Sequence, residues 1–78
     1  MNTLDELQVI FREVFGDDKI ILSRETTMND IVAWDSLTHL QLIIRVEKRF
    51  HIKFTTAQMK KMSNVGDMID AITSNSGE

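Results

Sequence analysis

A carboxylate, a hydroxyl and an imidazole lie close together at Asp35, Ser36 and His39. On one helix, Ser36 and His39 are near enough to meet, as a nucleophile and its base must. The remaining parts of such a catalyst are missing. Asp35 precedes the serine instead of orienting the imidazole, and neither a strand–turn–helix elbow nor an oxyanion-hole loop accompanies it. The chain is therefore expected not to be an enzyme. The same hydroxyl has another use. At a helix start the first backbone N–H groups are unpaired and the dipole end is positive, so a phosphate esterified to Ser36 would be well placed. An Asp-Ser pair is also what an ordinary helix cap is made of, and that reading stands beside the first. His39 and His51 lack a nearby carboxylate pair of metal-site spacing, so no metal is expected and both histidines are assigned to the surface. Cysteine is absent, which excludes disulfides, thiolate metal sites and a thiol nucleophile.

A helix must begin at Ser36 for this chemistry to hold, and the sequence provides one. From Ser36 to Phe50 apolar residues recur at helical spacing, Asp35 suits the N-cap, and Lys48 and Arg49 occupy the last turn, where cations favour the dipole. Before it, Thr3-Leu-Asp-Glu6 reads as a capping box with Thr3 as N-cap. Leu4, Leu7, Ile10, Phe11, Val14 and Phe15 then form one stripe roughly 140° wide, and Gly16 ends the helix. Residues 17–35 sustain no period and are expected to be a long loop whose apolar side chains tuck under the helices; such loops are often functional. Thr55-Thr-Ala-Gln58 is a second capping box, opening a short helix to about Met62. Ser63 or Asn64 caps a last helix, and Thr73 to Glu78 should fray. The expected fold is all-α: a small four-helix bundle of three longer helices and one short one, with the long loop between the first two. It forms a single domain over 1–78, with an ordered core of about 3–73 and a frayed tail over 74–78.

Composition limits the partners. The 78 residues are 42% hydrophobic and 27% charged, with three glycines and no proline, as suits one helical domain. No apolar run approaches the roughly 18 residues of a membrane span, and the N-terminus lacks a secretory pattern, so a cytoplasmic monomer without membrane insertion is expected. The net charge of −3 conceals segregation: residues 1–35 hold eight acids and three bases, whereas residues 36–61 hold six bases and one acid, Glu47. With a pI near 5.3 and no tight helix-turn-helix loop, nucleic-acid binding is not expected.

On a helical wheel the apolar arc of Ser36–Phe50 spans roughly 220°, against the ~100° that one core face requires. Leu37 and Ile44 sit at its edge, beside a strip of Thr38, Gln41, Arg45, Lys48 and Arg49. They are either core or the apolar rim of a docking surface.

Asp35-Ser36-Leu37, at the start of an apolar helix behind a long loop, resembles the attachment motif of acyl carrier proteins. The helix Ser36–Phe50, the following Ile52 and Phe54, the capped Thr55-Thr-Ala-Gln58 and the closing Asn64-Val-Gly-Asp-Met-Ile-Asp-Ala-Ile72 fall where that family has them. The first helix fits as well, so the resemblance spans residues 3–73. It implies that Ser36 carries 4′-phosphopantetheine through a phosphodiester, installed from coenzyme A by a phosphopantetheinyl transferase. It implies also that the arm's thiol holds acyl groups as thioesters for acyl-loading and acyl-transferring enzymes. Asp35, Leu37, Thr38, Gln41, Ile44, Arg45 and Lys48 would then form the partner surface, and the core of Leu, Ile and Met could open to shelter an acyl chain.

Two departures qualify the resemblance. Carriers of general fatty acid synthesis usually show an acidic second helix, whereas the outward positions here are Thr38, Gln41, Arg45 and Lys48. This suggests dedicated partners in a specialised pathway. Ala33-Trp34 precedes the motif where glycine is common, as in a subgroup of free-standing carriers with Trp-Asp-Ser-Leu; Trp34 is expected to pack and close the loop rather than touch substrate. A stand-alone aminoacyl or peptidyl carrier is the alternative, and a non-catalytic helical interaction module a more distant one.

Overall fold

Leu7, Ile10 and Phe11 repeat at helical spacing and are buried along α1 (Thr3–Phe15). The computed structural model describes residues 2–75, and three more helices follow: α2 (Ser36–Phe50), α3 (Thr56–Lys61) and α4 (Val65–Asn75). Leu42, Ile43 and Val46 of α2 meet Val65, Met68, Ala71 and Ile72 of α4 in the same core as the buried face of α1. The all-α bundle is as expected; the one β-type pairing among the described residues is an isolated bridge between Thr27 and Asn64. No described helix is long and apolar enough to cross a membrane.

The helix ends show where local rules hold and where they shift. α1 is capped by Asn2, not Thr3. Asn2 Oδ1 accepts from the Asp5 N–H at 2.8 Å, which places Thr3 inside the helix. Asparagine meets the need for a side-chain acceptor one residue earlier. Gly16 closes α1 in the left-handed region at φ 63. α3 has the expected capping box of Thr55 and Gln58. Both candidates for the α4 start are used. Asn64 Oδ1 accepts from Asp67 N–H at 2.8 Å, while the Asp67 carboxylate accepts from the Ser63 amide at 3.0 Å and its hydroxyl at 2.8 Å. α4 runs on through Thr73–Asn75 instead of fraying. Asn75 Nδ2 donates to the Lys53 carbonyl at 2.7 Å, and its amide group pairs with that of Gln58. The rest of the expected frayed tail, Ser76–Glu78, lies outside the described residues.

The long loop divides into a stapled part and a free part. Ile20 and Leu22 are buried; the Leu22 N–H donates to Gln8 Oε1 at 2.9 Å and Arg12 Nε donates to the Ile20 carbonyl at 2.8 Å. The loop then lies on the α4 start, where the Val65 and Gly66 amides donate to the carbonyls of Thr26 and Arg24 at 2.9 and 2.8 Å. A Cβ on Gly66 would stand 3.0 Å from the Arg24 carbonyl oxygen, so a side chain there would press on this backbone contact and glycine suits it. Not every apolar loop residue tucks inward, contrary to expectation. Ile21, Met28 and Val32 are exposed, Val32 completely. Burial alternates along Ile20, Ile21 and Leu22, with the middle side chain turned outward while its two neighbours are buried.

Candidate functional site

The site is the junction of loop and α2. Asp35 takes an extended backbone conformation and caps α2 as expected, its Oδ1 accepting from the Leu37 and Thr38 N–H groups at 3.0 Å each. The Thr38 hydroxyl accepts from the Asp35 N–H at 2.8 Å and donates to the Ala33 carbonyl at 2.8 Å. Bonding to the Thr38 amide foremost holds the Asp35 carboxyl below the usual aspartate range. Ser36 follows as the first helical residue, its side chain exposed.

This arrangement corrects one element of the sequence reading. The unpaired amides at the helix start were expected to be open to an anion, but Asp35 holds those of Leu37 and Thr38, and the His39 N–H bonds to the Asp35 carbonyl at 2.8 Å. Among the described residues only the Ser36 N–H is left without a partner there. A carboxylate one residue ahead reaches these amides first, because an N-cap side chain has the shortest path to them.

Trp34 packs as expected. It is 4% exposed and meets the Phe11 ring edge-on, with centroids 5.0 Å apart. Its indole Nε1–H donates to His39 Nδ1 at 3.1 Å, and the two rings stack at 5.9 Å and 28°. His39 is thus half-buried and engaged, not a surface residue; burial lowers its pKa from the ordinary histidine value. The signal was on the wheel: His39 lies at roughly 300° from Ser36, amid the buried Val46 and Ile43 positions. His51, by contrast, is exposed as expected, and no group of metal-ligating side chains occurs among the described residues.

Leu37 and Ile44 are 66% and 46% exposed, so they are not core. Leu40 joins them at 52%. Its wheel position between Ser36 and Ile44 could have revealed it. Of the polar strip, Gln41, Arg45 and Lys48 are exposed and Thr38 is partly buried in the capping box. The strip is less cationic than its composition suggests. Arg45 pairs with Glu13 at 3.6 Å and Arg49 with Glu6 at 3.0 Å, both acids lying on α1. Lys48 has no ion-pair partner among the described residues. Glu47, the sole acid of the helix, is turned to the Phe54 N–H at 2.9 Å.

A serine exposed at the head of a helix, backed by a capping box and a buried indole, suits a covalently tethered group: the residue is accessible and its neighbours are held by hydrogen bonds and packing. Comparison with known proteins agrees. The family model described as a phosphopantetheine attachment site matches residues 5–72. The chain belongs to the acyl carrier protein family. Its relatives include the acyl carrier proteins of two Helicobacter pylori strains, ATCC 700392 / 26695 and J99 / ATCC 700824, which are 27% and 28% identical over 75 residues, 96% of each chain. Among solved structures, the solution structure of holo acyl carrier protein from Geobacter metallireducens superposes with a TM-score of 0.89 at 51% identity, covering 96% of this chain and 86% of that one. As an acyl carrier protein, the chain bears a covalent 4′-phosphopantetheine and is a carrier, not a catalyst; the usual role of such carriers is in fatty acid and lipid biosynthesis. A phosphopantetheinyl transferase and the enzymes of synthesis are the partners this family requires.

Proposed function

We propose that Ser36 is the attachment residue and that this carrier serves dedicated enzymes of a specialised pathway rather than general fatty acid synthesis. The observation that carries the first part is the exposed Ser36 hydroxyl at the first position of a helix whose cap is already satisfied by Asp35. When attached, 4′-phosphopantetheine supplies the thiol that this cysteine-free chain lacks. The protein's own residues do the rest: Asp35 and Thr38 hold the helix start, Trp34 anchors the approaching loop, and α2 presents a surface to partners.

The second part rests on that surface. Leu37, Leu40 and Ile44 form an exposed apolar rim, flanked by Gln41, Arg45 and Lys48, with no acid of α2 left facing out as an unbonded carboxylate. A complementary partner has an apolar pocket edged by acidic side chains. The decisive test is incubation with coenzyme A and a broad-specificity phosphopantetheinyl transferase, followed by peptide mass mapping. One phosphopantetheine on the Ser36 peptide is expected; modification at Ser23 or Ser63 would overturn the assignment. Mass spectrometry of the thioester from native cells would then identify the cargo.

A further inference from the structure

The contact between Trp34 and His39 decides which imidazole nitrogen faces outward. Indole nitrogen is a donor only, so His39 Nδ1, 3.1 Å away, must present its lone pair. A neutral ring then carries its proton on Nε2. Burial favours that neutral form. The ring has little freedom to turn, since the indole stacked on it is itself wedged against Phe11 of α1. His39 Nε2 has no hydrogen-bond partner among the described residues, yet every buried side-chain nitrogen and oxygen among them has one. The Nε2–H therefore reaches solvent. It does so one helical turn from Ser36, where side chains three apart are neighbours with Cβ atoms about 5–6 Å apart.

The other donors at this helix start are engaged, since Asp35 holds the Leu37 and Thr38 amides. A phosphodiester on Ser36 cannot use them without displacing a carboxylate, and the Ser36 N–H and the His39 Nε2–H remain. We propose that His39 is a positioning residue for the prosthetic group, its Nε2–H donating to the phosphodiester on Ser36 while Trp34 fixes the tautomer. This rests on the assignment of Ser36. The groups packed on the ring, Trp34 and behind it Phe11, are uncharged, and the carboxylate of the same turn, Asp35, is bound to backbone amides. A negative charge placed on Ser36 thus has no competing ligand on this ring.

The test compares the full chain before and after loading. Trp34 is the one tryptophan, so its emission follows protonation of the ring it bonds. The His39 titration midpoint should rise on loading and stay raised at about 1 M salt, where the screening length is only about 3 Å. The phosphorus resonance of the holo protein near neutral pH should move in His39→Leu and return towards wild type in His39→Gln, which restores a side-chain N–H donor. Circular dichroism checks the fold of both variants; if His39→Leu does not fold, the wild-type comparison decides alone. A midpoint that does not rise, or rises only at low salt, overturns the proposal, as does a phosphorus resonance indifferent to both substitutions. Those results with phosphopantetheine mapped to Ser36 overturn this inference only; modification elsewhere overturns the Ser36 assignment and this inference with it.

Discussion

The two ends of α2 are built on different principles. At the start, Asp35, Thr38, Trp34 and His39 are joined by hydrogen bonds and stacked rings, and they frame the exposed Ser36. At the far end, Ile44, Lys48, His51 and Lys53 border an open groove of about 590 Å³, and neither lysine has an ion-pair partner among the described residues. His51 there adopts the left-handed conformation at φ 56 without being glycine. The start satisfies its donors from within except at the Ser36 N–H and the His39 Nε2–H, which lie beside the serine proposed to carry the prosthetic group. The end leaves charge and apolar surface exposed. A carrier needs both, because its attached group must leave from a fixed point while its partners change.

The largest effect should come from the start. Ser36→Ala removes the only atom proposed to accept phosphopantetheine, so loading should vanish by intact mass, with stability kept within about 0.5 kcal/mol as for an exposed substitution. Loading that persists would break the contrast between the two ends. Next, Trp34→Ala should cost about 3–5 kcal/mol in denaturant unfolding, the range for emptying an aromatic core site. That is much of the roughly 5–15 kcal/mol that holds a domain together. A cost near zero would mean that the loop is not anchored through the indole.

Substitutions further along α2 should affect association instead. Ile44→Ala should speed dissociation of the loading enzyme at any salt concentration, whereas Lys48→Glu should slow loading severalfold, mostly at low salt. Arg45→Glu, which also places an acid beside Glu13, should lower stability by no more than about 1 kcal/mol. Loading rates indifferent to Lys48→Glu across a salt series would show a merely solvated face.

Acid should loosen the helix starts in two stages, His39 first and the capping carboxylates of α2 and α4 second. Burial depresses the His39 pKa in the folded state, so its contribution is full above the unfolded value of 6.5 and is lost as pH falls through the folded one. Asp35 and Asp67 are likewise depressed, by amide and hydroxyl hydrogen bonds, and their contributions are present above 3.8 and lost below it. Denaturation midpoints measured across pH, with Trp34 emission as the probe, should show both stages; Phe in place of Trp34, followed by circular dichroism, should weaken the first. The smallest effect belongs to the other end. His51→Gly should raise stability by a few tenths to about 1 kcal/mol, because glycine adopts the left-handed region without strain but loses more chain entropy.

The caps of α2 and α3, the break at Gly16 and the apolar period of each helix were legible because each depends on residues no more than four apart. The Asn2 cap was missed where two adjacent residues could both serve. The choice among competing acceptors was missed at Ser36 too, where Asp35 takes the amides that an isolated serine would leave free. For the docking strip, spacing placed Leu37 and Ile44 at an edge but could not say on which side of the surface that edge falls.

Sequence alone determined the helical bundle, the serine at a helix start behind a long loop, the absence of any thiol of its own and the opposite charges of the two halves. Tertiary structure alone decided that Glu13 and Glu6 on α1 neutralise Arg45 and Arg49 while Lys48 stays free. The wheel already puts His39 on the buried side of α2, but tertiary structure decided that Trp34 meets it there, because Phe11, far away in the chain, packs against that indole. Capping and periodicity are set by neighbours along the chain, whereas an ion pair or a ring contact between helices depends on which faces the packed core brings together.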